Sequence, residues 1–143
     1  MTKIILRISI GFLGISAICI ATSIILFGFH ATGAFFEGVY IALTGHQAGL
    51  TPVYSVNADS ELRFYSALWL AYGVLAVIAA YKFEQKKHWI PWLSLVFFGG
   101  GLARLMSYFT VGAPHPFFIV LLCIELVLPI ILLGLWALER NSD

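Results

Sequence analysis

Four long apolar blocks leave this chain few choices of fold. They run from about residue 4 to 29, 62 to 81, 89 to 109 and 117 to 138. Each is near or above the ~20 residues that a helix needs to cross ~30 Å of hydrocarbon. Barrel strands would be about half that length and would alternate in polarity. Lipid leaves no other way to satisfy the backbone. The chain therefore reads as all-α: a four-transmembrane-helix bundle forming a single integral membrane domain over residues 1–143. Composition agrees. Hydrophobic residues make up 61% and charged residues 10%, against about half and a quarter in soluble domains. Too few charges remain for a polar surface. No basic run with interleaved aromatics points to nucleic acid.

Lys3 and Arg7 precede the first block, as they would in a signal peptide, and Ala31-Thr32-Gly33 offers a small-residue cleavage site. The apolar run exceeds the ~7–15 residues of a typical signal core, so the segment reads as a retained helix.

Orientation follows from the cations. Lys3, Arg7, Lys82, Lys86, Lys87 and Arg140 lie at the termini or in the loop after the second span, and only Arg63 lies on the other side. This bias places both termini in the cytoplasm. In a bacterium the protein is then a multi-pass inner (cytoplasmic) membrane protein, N-in and C-in, with the first loop and the GAPHP turn facing outward.

The outward loop, residues 30 to 61, is not simply hydrophilic. In GAFFEGVYIALTG, Phe35, Phe36, Val39, Tyr40 and Leu43 fall at helical spacing, with Glu37 and Thr44 off that stripe. This predicts a short interfacial helix, its aromatic face either in lipid or capping the bundle. GHQAGLTP reads as a turn. Asn57, Asp59 and Ser60 offer N-caps for the second span, with Glu61 in its first turn. Small residues mark candidate packing faces: Gly99, Ala103 and Ser107 on the third span, flanked by Gly100 and Gly101, and Ala67, Ala71, Ala76 and Ala80 on the second. Such stripes let helices approach closely. They also leave room for a homo-oligomer or another membrane partner.

One arginine stands inside a span. Arg104, in GGGLARLMSYF, lies roughly 9 Å below the outer surface at 1.5 Å per residue, and Glu125 on the fourth span lies roughly 13 Å deep. Unpaired charge at that depth is costly, and ionisable groups in a bilayer usually pair and face the bundle interior. Arg104 is therefore expected to pair with Glu125. Arg63 is placed to lean toward the same site, and Tyr65, Ser107, Tyr108 and His115 are near in depth. Two arginines against one glutamate leave a positive excess. An outward-opening pocket for the carboxylate or phosphate of an amphipathic molecule fits, because the planar guanidinium donates two parallel hydrogen bonds. Asp59 and Glu61 weigh against this, since either could neutralise Arg63. The plain alternative is an ion pair that fixes helix register.

The segments ELRFYSALWLAYG, GGGLARLMSYFTVGAPHP and IELVLP together resemble an uncharacterised bacterial family of small four-helix integral membrane proteins, described only as a domain of unknown function. The resemblance covers about residues 50 to 138 and rests on Arg63, Gly73, Gly101, Arg104, Ser107, Gly112, Pro114 and Glu125. It implies the same fold and location and supplies no catalytic residue or ligand.

Other chemistry is poorly supported. His30, His46, His88 and His115 lack metal-ligand spacing, and Cys19 and Cys123 form no CxxC. No metal or cofactor is expected, and no triad or phosphate loop marks an enzyme. The reading that remains is a binding or accessory protein of the inner membrane, holding a lipid or other amphipathic anion and supporting the envelope. One alternative is a small oligomeric transporter of drugs or metabolites. Small multidrug exporters also have four short spans, but their membrane glutamate is unpaired. Another alternative is a structural or accessory subunit of a membrane complex.

Overall fold

A computed structural model gives the fold and describes residues 1–46, 49 and 55–140. Among these residues every regular element is helical. Helix α1 spans Thr2–Thr44, α2 Val56–Tyr81, α3 Phe83–Lys86, α4 Ile90–Thr110 and α5 Pro116–Arg140, with a 3-10 turn over Lys87–Trp89. Four helices are long and apolar enough to cross a membrane.

The backbone of α1 breaks at Gly28, whose φ of 81° and ψ of 165° are not helical. The break falls where the first span was expected to end. The interfacial helix follows it at once, as the outer arm of α1, instead of after a loop. The bend is sharp. Ser23 Oγ and Thr32 Oγ1 are 2.8 Å apart, whereas nine residues of straight helix would separate them by about 13.5 Å. The aromatic stripe of this arm divides. Phe36 stacks on Phe117 with centroids 4.8 Å apart, and Tyr40 meets His115 edge-on at 5.0 Å. Phe35, Val39 and Leu43 face outward. The arm thus packs on the bundle with one face and leaves the other free. Its C-terminal cap is Gly45 in the left-handed conformation. The turn expected over GHQAGLTP lies mostly outside the described residues.

Helix α2 starts earlier than expected. Its N-cap is Ser55, whose side chain accepts the Ala58 N–H at 3.0 Å, not Asn57, Asp59 or Ser60. Asp59 is drawn instead to Arg63, four residues on. Pro91 sits in the first turn of α4, where its missing N–H leaves no bond unmade.

The helices run antiparallel and pair as two hairpins, α1 with α2 and α4 with α5. Gly14 and Gly73 let the first pair touch backbone to backbone. A Cβ on either would fall 2.8 Å from the other's carbonyl oxygen. In the second pair Gly101 lies against Glu125, and a Cβ there would fall 3.0 Å from the Glu125 Cβ. Pro129 lies inside α5 and removes the N–H that would bond the Glu125 carbonyl. Gly101 thus packs against the weakened turn of α5.

The small-residue stripes are met in part: on α2 Ala76 is buried and Ala80 packs against α1, as expected. A Cβ on Gly99 or Gly100 would meet no described residue within 4 Å, and Ala103 and Ser107 are exposed, as are Ala67 and Ala71. Gly101, two residues beyond Gly99, is the one that meets α5. On α2 the inward small residues are Gly73, Ala76 and Ala79.

The dense core lies toward the end that carries both termini. There Leu6, Ile10, Leu13, Tyr72, Phe83, Ile90, Leu93, Phe97 and Leu132 are buried together. Trp69, Tyr72 and Phe97 stack in a slab across α2 and α4, Trp69 and Tyr72 at 4.7 Å. The opposite end is looser, and the site lies there.

Candidate functional site

Arg104 and Glu125 meet as the depth arithmetic predicts. The Arg104 Nε donates to Glu125 Oε2 at 2.7 Å. The Glu125 side chain is 9% exposed and that of Arg104 40%. Gly101 on α4 makes this contact possible by admitting α5, and Arg104 follows three residues later on the same face. The Arg104 guanidinium also lies 5.5 Å from the centre of the Phe118 ring, a cation–π arrangement. The two contacts fix the guanidinium through Nε and one face. Its Nη groups have no hydrogen-bond partner among the described residues.

A cavity of about 390 Å³ lies beside Arg104, lined by Ile24, Phe29, Leu62, Ser107, Phe118 and Leu122 among others. All four spans contribute to its wall. A smaller space of about 90 Å³ adjoins it, roofed by Thr32, Gly33 and Phe36 of the outer arm. Arg104, Ile24, Phe29 and Phe118 line both. The lining is apolar except for Arg104, Thr32 and Ser107. One cation at the wall of an apolar chamber is the arrangement an amphipathic anion requires.

The other expected residues separate into three groups. Ser107 lies on the chamber wall. Tyr65 and Tyr108 are exposed and meet their neighbours Phe64 and Phe109 edge-on. Arg63 and His115 are engaged elsewhere. Arg63 Nε donates to Asp59 Oδ2 at 2.7 Å, and its Nη1 donates to the Ile25 carbonyl. The break at Gly28 strips that carbonyl of its helical partner, because the N–H of residue 29 no longer reaches it. Arg63 replaces the lost bond. The Thr32 hydroxyl adds a donor to the Gly28 carbonyl at 3.0 Å, a back-bond to the residue four before it.

His115 clamps the outer arm. Its Nδ1 accepts the Phe117 N–H at 3.1 Å at the start of α5, and its Nε2 lies 2.8 Å from Glu37 Oε2. The two atoms lie within ion-pair distance but without the alignment of a hydrogen bond. Glu37 is the functional candidate that sequence reasoning passed over. Its only signal was a lone acid on an otherwise apolar amphipathic segment.

At the opposite end a second set of charges gathers. Lys3 pairs with Glu84 in the short turn between α2 and α4, outside the spans. Lys3 holds the Glu84 carboxyl below the usual carboxylate range, first through its hydrogen bond against a smaller loss of water, and then through its charge, with Lys87 and Arg7 acting in the same sense. No cluster of histidine, cysteine and acidic side chains that could hold a metal occurs among the described residues.

Fold and site together define a four-span helical membrane protein with a charged pair at the wall of an apolar chamber. The chain belongs to the family described as Domain of unknown function (DUF4345), whose model matches residues 5–137. No curated protein and no solved structure matches it.

Proposed function

We propose that this is a small bacterial inner-membrane protein that binds an amphipathic anionic ligand or lipid on Arg104 and so supports the cell envelope. One observation carries the reading. Arg104 is held by Glu125 and Phe118, yet keeps its Nη donors unspent at the wall of a chamber built from all four spans. A purely structural staple has no need of the chamber. The chamber's size falls within the ~300–1,000 Å³ of small-molecule sites. The ligand's head takes the Nη fork and its apolar part lies against Ile24, Phe29 and Leu122. The outer arm of α1, clamped by Glu37 and His115, covers the site from the far side. We read the protein as a binder and not an enzyme, with the termini cytoplasmic on the strength of the lysine and arginine distribution.

The test is ligand-induced stabilisation. A single-chain carboxylate or phosphate amphiphile should raise the melting temperature of the detergent-solubilised protein more than an uncharged amphiphile of equal chain length. Saturation at about a hundred times Kd corresponds to about 2.7 kcal/mol. Arg104→Gln should abolish the difference. Equal stabilisation by charged and uncharged amphiphiles would leave the pair as a staple.

A further inference from the structure

The groove at the other end of the α1–α2 hairpin is a second place where an arginine heads an apolar channel. The two helices touch at Gly14 and Gly73 and stay close at Gly11 and Ala80. An open groove of about 350 Å³ runs along their seam, lined by Arg7, Ile8, Gly11, Ile15, Val77 and Ala80 among others. Gly11 lets the helices close beneath the groove, since a Cβ there would stand 3.3 Å from that of Ala80.

Arg7 is fixed at the mouth. Its Nε donates to the Ala80 carbonyl at 3.1 Å. That carbonyl is in the last turn of α2, where no further helical N–H follows. The hydrogen bond holds the guanidinium in place and leaves its Nη groups without a hydrogen-bond partner among the described residues. From Arg7 the channel runs along Ile8, Gly11 and Ile15, on one face of α1. Eight residues cover about 12 Å, most of the ~15 Å of one leaflet's hydrocarbon. The head of the channel therefore lies at the depth of a headgroup, and its length is that of an acyl chain.

Charge selects the occupant. Lys3, Arg7, Lys82, Lys86, Lys87 and Arg140 gather at this end, against Glu84 and Glu139 among the described residues. Such an excess of cations next to a bilayer attracts anionic headgroups. We propose that this groove binds an anionic phospholipid, its phosphate on the Arg7 fork and one acyl chain along Ile8, Gly11 and Ile15. The site is independent of the Arg104 chamber and lies at the opposite end of the bundle.

Native mass spectrometry of the full chain tests it, with dioleoyl phosphatidylglycerol and dioleoyl phosphatidylcholine offered at equal concentration. Wild type should retain phosphatidylglycerol in preference, and Arg7→Gln should weaken that adduct by about fivefold, as loss of a charge-assisted bidentate contact at a solvated mouth implies. Arg7→Lys should restore part of it. Ile8→Trp should remove it by filling the channel. Ile8 is 67% exposed, so this variant keeps the fold and decides the matter if Arg7→Gln does not accumulate. Arg104→Gln should leave this adduct in place, which separates the groove from the chamber. Equal retention by wild type and Ile8→Trp would overturn the proposal. So would displacement of the lipid by inorganic phosphate alone, which would mean a site for the ion and not for the lipid.

Discussion

Gly14 on α1 and Gly73 on α2 are in reciprocal contact, each so close that a Cβ would fall 2.8 Å from the other's carbonyl oxygen. Neither helix can move away without opening the hairpin that forms one wall of the chamber. Alanine at either position is expected to destabilise the protein by about 1–3 kcal/mol, the cost of overpacking. Gly99→Ala meets nothing and is expected to be neutral or to stabilise by up to about 1 kcal/mol through helix propensity. Thermal unfolding in one detergent measures both. Equal effects at Gly14 and Gly99 would contradict the packing described here.

Gly28 holds a backbone conformation that only glycine adopts readily, and a Cβ there would stand 3.0 Å from Arg63 Nη2. Gly28→Ala should therefore cost about 1–3 kcal/mol. Arg63→Ala should cost roughly 1–2 kcal/mol by orphaning the half-buried Ile25 carbonyl. The two changes act on one feature, so their combination should cost less than the sum. A double-mutant cycle on unfolding free energies is the measurement. Strict additivity would mean that Arg63 does not support the break.

Removing one member of the Arg104–Glu125 pair leaves the other uncompensated. Arg104→Ala or Glu125→Ala should cost roughly 2–3 kcal/mol, less than the ~3–5 of fully buried pairs because Arg104 is partly open. Exchanging the two charges should recover part of the loss. Harmless single changes, in stability and in ligand retention alike, would mean that the pair is neither staple nor site.

The Lys3–Glu84 pair predicts a dependence on pH. The folded carboxyl titrates below its unfolded value, so its contribution is present above the unfolded pKa and is lost as the pH falls through the folded one. The melting-temperature difference between wild type and Glu84→Gln should shrink as the solution is acidified through the carboxylate range. A difference that stays constant into acid would contradict the pairing.

The sequence made the spans legible because lipid tolerates no interruption by charge, and Arg104 with Glu125 because depth is arithmetic along a helix. Other features depended on contacts that no local pattern encodes. Arg63 turns toward α1 because the break at Gly28 frees the Ile25 carbonyl, and nothing in LFGFH announces that break over an ordinary helical glycine. Glu37 and His115 lie far apart in the chain and meet only when the outer arm folds back. The stripe of Gly99, Ala103 and Ser107 had the right spacing and the wrong azimuth: Gly101, two residues beyond Gly99, is the one that faces α5.

The central claim is that Arg104 holds an anion in the chamber, and native mass spectrometry of the gently solubilised protein tests it most directly. Wild type and Arg104→Ala are compared for mass and retained ligand. A defined anionic adduct present in wild type and lost in the variant is the predicted result. The same adducts in both, or bare protein in both when an anionic amphiphile is supplied in excess, would contradict it and leave the pair a staple of the bundle.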